Sequence, residues 1–281
     1  MITISCHPVV GRLVSCRRTS SSLLKRTKVT SSIEPPPLLL DGYVESPGVI
    51  ALLESSLYRN AWSRPFASTF PDRGVHFLSV DVFSDLSSSF TVSESFAQMH
   101  TELATDLSPH AEVTLVARGP LPCLVAQYYL ESLPLSGLIL ADPLIVPRRG
   151  GELDTNDASS DNESLQSSVQ SFLQTTSQAY CFDFETNNEN GETLLLGKMQ
   201  QSGEYDRPLK LEAGVVPVKV LYSGGDVSPE GEVRRCAEQT ASYHTANDGN
   251  SLYGEVAVER LEEREVESAI ETVFSFHDEI I

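Results

Sequence analysis

The clearest hydrophobic pattern in the chain lies in residues 113–133, where a short apolar run, a turn signal and a longer apolar segment follow one another. Residues 113–116 are largely apolar and rich in β-branched side chains, which predicts a buried strand. Gly119-Pro120 is a turn signal. Residues 121–130 then carry apolar side chains at helical spacing, which predicts a mostly buried helix.

Similar runs on both sides predict an alternation of strands and helices. Ser46 followed by Pro47 is typical of a helix start, with serine as the cap and proline in the first turn. Strand and helix following each other in this rhythm predict an α/β fold, with a doubly wound, mostly parallel sheet and helices on both faces. Strands are predicted at residues 38–40, 75–82, 113–116, 137–143, 215–222 and 254–259, and helices at residues 47–57, 92–107, 121–130, 228–240 and 265–276.

The strand, tight turn and buried helix of residues 113–130 resemble the nucleophile elbow of the α/β-hydrolase family, which carries Gly-x-Ser-x-Gly. In that alignment Ala117-Arg118-Gly119-Pro120-Leu121 fills the motif, and Gly119 stands at the nucleophile position. Glycine has no group that can attack a carbonyl carbon. It tolerates a positive φ at little steric cost, so we expect a glycine-specific backbone conformation at Gly119.

The resemblance also implies positions for the other catalytic groups. Asp226, after the predicted strand 215–222, falls at the position of the triad acid, although a loop aspartate is also a common turn residue. The loop 260–264, where the family places its histidine, contains none. Asp41 and Gly42 fall at the oxyanion loop, where a carboxylate is electrostatically unsuited to a developing oxyanion. We therefore expect no catalytic residue here, and the degenerate positions are Gly119, Asp226, Asp41 and Gly42.

Two segments differ in composition from the rest of the chain. Residues 1–33 carry six basic and no acidic residues and are rich in serine and threonine, which is typical of an organellar transit peptide. We expect this segment to be a disordered leader directing the protein to mitochondria, with the plastid, or a plain basic tail, as alternatives. Residues 34–281 are expected to form one domain, within which the polar, acidic residues 148–213 are a lid-like insertion.

Charge and cysteine usage narrow the classes of partner. The formal net charge is −19, which argues against binding to nucleic-acid phosphates. No apolar run approaches the roughly 18 residues of a membrane-spanning helix, so we expect no transmembrane segment. The five cysteines form no CxxC pair or zinc-ligand spacing, so no metal site and no cofactor are expected. Cys123 is interpreted as a small buried apolar residue, with a displaced nucleophile as the alternative.

These observations lead to three hypotheses about function, of which the first is preferred. The first is a catalytically inactive α/β-hydrolase-like protein that acts as a structural or interaction subunit with protein partners, in a mitochondrial assembly. The second is a residual hydrolase, similar to an esterase or thioesterase, with a relocated nucleophile. A small-ligand sensor is the third. The remaining histidines at positions 76, 100, 110, 244 and 277 are more typical of packing or surface roles than of a general base.

Overall fold

The computed structural model describes residues 28–34, 48–55, 61–83, 92–143, 213–223, 230–245, 253, 255–261 and 265–281. Within these residues the centre of the fold is a seven-stranded sheet. Its strands are β1 (Lys28–Glu34), β2 (Val49–Glu54), β3 (His76–Phe83), β4 (Val113–Arg118), β5 (Gly137–Ala141), β6 (Val218–Ser223) and β7 (Ala257–Leu261). Their order in the sheet is β1-β3-β2-β4-β5-β6-β7; strands β2 to β7 run parallel, and β1 pairs antiparallel with β3 at one edge.

Helices cover both faces of the sheet, as the sequence predicted. The helices are α1 (Ser63–Thr69), α2 (Val92–Leu107), α3 (Pro120–Leu130), α4 (Glu230–His244) and α5 (Glu265–Ile280), with a short 3₁₀ turn at Pro71–Arg73. Side chains of α2, α3 and α4 pack with Leu115 and Ala117 of β4 in one core. Side chains of α1 and α5 pack with Val116 of β4 in the other. The predicted doubly wound α/β architecture with a mostly parallel sheet is confirmed.

The helix predicted at residues 47–57 is wrong, because Val49–Glu54 forms strand β2. All six residues of β2 are buried, since the strand lies between β3 and β4 and is covered on both faces. A strand of this kind is a continuous apolar run without period-two alternation, and such a run cannot be distinguished from a buried helix by its periodicity. The Ser46-Pro47 helix-start signal therefore misled the prediction.

The disorder predicted for residues 28–33 is also wrong. These residues belong to β1, whose register places Lys28 opposite Phe83 and Glu34 opposite Phe77. The Ser- and Thr-rich composition that suggested a leader is compatible with an edge strand, because threonine and valine both favour extended backbone. The predicted strand 38–40 lies outside the described residues, as do residues 1–27 and, apart from its last residue, the insertion predicted at residues 148–213.

Helix α5 lies close to the amino ends of two strands. A Cβ atom at Gly48, just before β2, would collide with side chains of His277 and Ile281, and one at Gly137 would collide with Phe276 and Ile280. The two glycines thus permit the close approach of the last turns of α5. The helix extends further than the predicted residues 265–276, so His277 lies inside it rather than after it.

Candidate functional site

A sharp turn joins β4 to α3 at the carboxyl edge of the sheet. Gly119 occupies this turn with φ 95° and ψ 173°, a region of backbone space that is essentially restricted to glycine. Its N–H donates to the carbonyl of Ala141 (N···O 2.8 Å), and its carbonyl accepts the N–H of Cys123 (3.0 Å). The positive φ expected at Gly119 is confirmed. The position offers no side chain for nucleophilic attack.

The residue before this glycine is a buried cation. Arg118 is 5% exposed, and its Nη1 donates to Oε1 of Glu54 at 3.0 Å while its Nη2 donates to Oε1 of Glu265 at 2.6 Å. The guanidinium also lies over the ring of Trp62, 4.5 Å from the ring centroid, in an attractive cation–π arrangement. One side chain therefore joins the end of β2, the end of β4 and the first residue of α5.

Glu54 links the same cluster to α1. It is buried at the end of β2, and its carboxylate accepts the backbone N–H groups of Trp62 (2.9 Å) and Ser63 (3.1 Å) at the start of that helix. Burial raises the pKa of Glu54, and the neighbouring Arg118 and the two N–H donors act in the opposite direction. The carboxylate satisfies N–H groups at a helix start that would otherwise be buried without partners.

A second buried carboxylate lies beside the turn. Asp142 follows β5 with φ 53° and is 2% exposed. Its Oδ1 accepts the N–H of Ser223 at 2.7 Å, and the Ser223 hydroxyl donates to the same carboxylate at 3.0 Å. Burial raises the pKa of Asp142 to about 6, opposed by the Ser223 N–H, while the charge of Glu265 adds to the rise. The Asp142–Ser223 contact connects the carboxyl ends of β5 and β6.

Cys123 is placed as a packing residue. It is fully buried, and its thiol donates to the carbonyls of Ala117 (3.3 Å) and Ala141 (3.2 Å). Both acceptors are backbone atoms at the ends of β4 and β5. This arrangement agrees with the interpretation of Cys123 as a small buried residue of α3.

The described histidines lie away from the turn. The Nδ1 atom of His277 is 2.7 Å from the hydroxyl of Thr114, which precedes Gly119 by five residues, or about 16 Å along the strand. His244, the last residue of α4, places its Nε2 3.0 Å from Oε1 of Gln127. Burial lowers the pKa of His244 to about 4, so its ring is neutral at pH 7.

The structure therefore describes one of the four predicted site positions. Asp226, Asp41 and Gly42 lie outside the described residues, and so do residues 262–264 of the loop that lacks a histidine. The hydrophobic pattern and the motifs did not predict the Arg118–Glu54–Glu265 cluster. The sequence contained one sign of it: each of two largely apolar runs ends in a charged residue, Glu54 after residues 49–53 and Arg118 after residues 113–117.

At the opposite edge of the sheet, a cavity of about 280 Å³ lies at the amino ends of β6 and β7.

In the ranges that the structure describes, no group of three His, Cys, Asp or Glu side chains is placed to hold a metal ion. None of the helices in those ranges is both long enough and apolar enough to cross a membrane.

No protein-family model matches the sequence, and no curated protein matches it. Solved structures do match its fold. MenH from S. aureus is 14% identical with a TM-score of 0.51, and the match covers 88% of this chain and 96% of that chain. Haloalkane dehalogenase DbeA-M1, a loop variant from Bradyrhizobium elkanii, is 14% identical with a TM-score of 0.52 and coverages of 89% and 97%.

A third similar structure is epoxide hydrolase VrEH1 from Vigna radiata, 12% identical with a TM-score of 0.51 and coverages of 91% and 96%. At such low identities the likeness is one of fold alone. The chain has the α/β-hydrolase fold, as the resemblance of the elbow segment predicted. The activities of these proteins do not transfer with the fold, because function resides in the site residues.

Proposed function

We propose that this α/β-hydrolase fold is catalytically inactive and serves as a structural or interaction subunit in a mitochondrial assembly. The observation that carries the proposal is the pair Arg118-Gly119 at the elbow turn. Gly119 supplies no nucleophile, and the side chain before it is held in a buried ion pair with Glu54 and a part-buried one with Glu265. A hydrolytic site of this family needs a nucleophile, a general base and an oxyanion hole in one place.

The first residue of α5 supports the same proposal. In active members of the fold the histidine comes from the loop between the last strand and the last helix, and loop 260–264 has none. Glu265, directly after that loop, directs its carboxylate to Arg118. A general base would have to reach the turn from this side, and an acid committed to an ion pair stands there instead.

The charges near the turn are also unsuited to acyl transfer. Strand β2 lies beside β4, so its carboxyl end is next to the Gly119 turn. That end carries the carboxylate of Glu54. The Arg118 cation beside Glu54 is shared between the carboxylates of Glu54 and Glu265, so this cluster carries more negative than positive charge and is unsuited to a developing oxyanion.

Turnover assays test the inactivity. We expect the purified protein to hydrolyse p-nitrophenyl esters and acyl thioesters no faster than buffer containing an equal mass of a non-enzymatic protein. A rate above that background which survives repeated purification would contradict the proposal. An active esterase assayed in parallel checks the substrates.

The proposed location depends on the basic, acid-free residues 1–27 that precede β1. We expect protein recovered from cells to fractionate with mitochondria and to begin between Ser21 and Lys28, because cleavage further along would cut into β1. Amino-terminal sequencing decides the second point. Cytosolic protein with an intact Met1 would refute the mitochondrial part and leave the inactivity untouched.

One contact favours the alternative of a residual esterase-like or thioesterase-like hydrolase. The Ser223 hydroxyl donates to the buried Asp142 carboxylate at the carboxyl edge of the sheet, as an activated serine would donate to a base. The backbone N–H of Ser223 binds the same carboxylate, which is also what a structural anchor between β5 and β6 would do. If this alternative held, any measured turnover would disappear in Ser223→Ala.

A further inference from the structure

The cavity at the amino ends of β6 and β7 lies at the opposite edge of the sheet from Gly119. Apolar side chains of Val216, Phe276 and Ile280 line it, together with the exposed residues Tyr253 and Glu255. A concave site with apolar walls and a few polar groups is the usual form of a recognition site. The cavity is therefore separate from the Arg118–Glu54–Glu265 cluster, which lies at the carboxyl edge.

Two exposed apolar residues lie at this cavity or next to it in the chain. Among the described residues, three large apolar side chains are more than half exposed: Val215 at 52%, Tyr253 at 54% and Ile281 at 55%. Tyr253 lines the cavity and Val215 is the chain neighbour of two lining residues, whereas the side chain of Ile281 lies next to Gly48 at the amino end of β2. Clustering of exposed apolar residues marks an interaction surface, whereas scattered single residues do not.

The electrostatics of the cavity favour a cation. Helices α4 and α5 both end here, with His244 and Ile280 among the lining residues, so the negative ends of two helix dipoles point to one place. Glu255 and Glu279 add two exposed carboxylates.

Two further charges bear on that field. Among the described lining residues Lys219 is the one positively charged group, and its ammonium is paired with Glu259 at 2.7 Å. Asp278 is exposed in the last turn of α5, where its negative charge is repelled by the negative end of the helix dipole. A bound cation would relieve this repulsion.

We propose that this cavity is the docking site for a segment of a partner protein that inserts an arginine or lysine side chain next to an apolar residue. The long apolar stem of such a side chain suits the walls formed by Phe276 and Ile280, and its charged head suits Glu255 and Glu279. The exposed ring of Tyr253 can add a cation–π contact. The inference deepens the proposed role as an interaction subunit and therefore rests on it.

A peptide titration on the full-length protein tests this site. The probe is a fluorescein-labelled octapeptide of alternating leucine and arginine, followed by anisotropy. We expect saturable binding that Glu255→Gln/Glu279→Gln weakens at least tenfold. The matched control is Glu112→Gln/Glu267→Gln, which removes the same charge from exposed positions outside the cavity and should change the affinity less than twofold.

Three outcomes would overturn the proposal. Equal weakening in both double variants would mean that the peptide responds only to net charge. Equal affinity for a glycine–arginine octapeptide would mean that the apolar walls play no part. A tenfold gain in affinity when Arg12, Arg17, Arg18, Lys25 and Arg26 are all replaced by glutamine would identify the chain's own basic segment as the occupant. No catalytic readout enters the titration, so hydrolytic activity would refute the proposed function without altering this result.

Discussion

The guanidinium of Arg118 and the carboxylate of Glu265 form a 2.6 Å ion pair between the residue before the elbow glycine and the first residue of α5. The two partners are 147 positions apart in the chain. In an active hydrolase the nucleophile and the histidine approach each other from these same two segments. Here a charge pair connects them, and the arginine is 7% exposed while the glutamate is 27% exposed.

The first prediction concerns this cluster. Arg118→Leu should lower the free energy of unfolding by about 3–5 kcal/mol, because it leaves the buried Glu54 carboxylate without its cation. Urea unfolding at pH 7 measures the loss. Arg118→Leu/Glu54→Leu should recover part of it, because the second substitution removes the unpaired buried charge.

A matched surface variant gives the scale for the Arg118 result. Arg234 forms an exposed pair with Glu238 within α4, and exposed pairs contribute little. Arg234→Leu should therefore leave the unfolding curve almost unchanged. If Arg118→Leu were as mild as Arg234→Leu, the buried cluster would not be what holds the carboxyl edge together.

The second prediction concerns the turn itself. Gly119→Ser should destabilise the protein by about 1–3 kcal/mol, because φ 95° with ψ 173° is strained for any residue with a Cβ. It should create no esterase activity, since no described histidine is near enough to activate the hydroxyl. Thermal melts and p-nitrophenyl ester assays measure the two effects.

Gly74 provides the control for Gly119. It has φ 85° and ψ 13°, and a Cβ there would meet no atom within 4 Å. Gly74→Ser should therefore show the smaller cost of an ordinary left-handed residue. A melting temperature for Gly119→Ser equal to or above that of wild type would mean that the turn is not strained, and the elbow interpretation would have to be given up.

The elements that the sequence predicted well are those with strong local patterns. Segment 113–130 has an apolar β-branched run, a Gly-Pro turn and a helical stripe, and the structure places β4, Gly119 and α3 there. Strand β2 was mistaken for a helix because burial on both faces removes the alternation by which a strand is recognised. That burial depends on the neighbouring strands β3 and β4, and the local pattern of residues 49–54 carries no information about which strands lie beside them.

The candidate site was predictable only in part for a related reason. A missing side chain, as at Gly119, is visible in the sequence once the motif is aligned. The ion pairs of Arg118 depend on partners 64 and 147 positions away, and only the folded sheet brings them together. The cavity at the opposite edge likewise combines residues of β6, β7, α4 and α5, none of which forms a motif.

The third prediction follows from His244. Its folded-state pKa is lowered to about 4 by burial, so the unfolded chain binds a proton between about pH 6.5 and pH 4 that the folded protein does not. This group therefore reduces stability as the pH falls through that window. Between pH 7 and pH 4.5 the free energy of unfolding should fall by about 2–3 kcal/mol less in His244→Gln than in wild type. Parallel pH courses in the two proteins would show that His244 is not buried as described.

The fourth prediction has the opposite sign. The folded-state pKa of Asp142 is raised to about 6 by burial, so the folded protein holds a proton between about pH 4 and pH 6 that the unfolded chain releases. The stability that this proton contributes is lost as the pH rises through 6. The free energy of unfolding of Asp142→Asn, measured relative to that of wild type, should therefore rise by about 2 kcal/mol between pH 4.5 and pH 7.

The control for Asp142 is Ser68→Ala, at an exposed residue without a titratable group. Its difference from wild type should stay constant over the same range. If the difference in unfolding free energy between Asp142→Asn and wild type were also constant, or if the variant became less stable relative to wild type as the pH rises, the described burial of Asp142 would be contradicted.

We propose that the carboxyl edge next to Gly119 carries no catalytic nucleophile, and reaction of the protein with a fluorophosphonate probe tests this. Intact-mass spectrometry of the purified protein reports any covalent adduct, and an active serine esterase treated in parallel shows that the probe is competent. We expect no adduct on the wild-type chain. A stoichiometric adduct on any serine, Ser223 included, would contradict it.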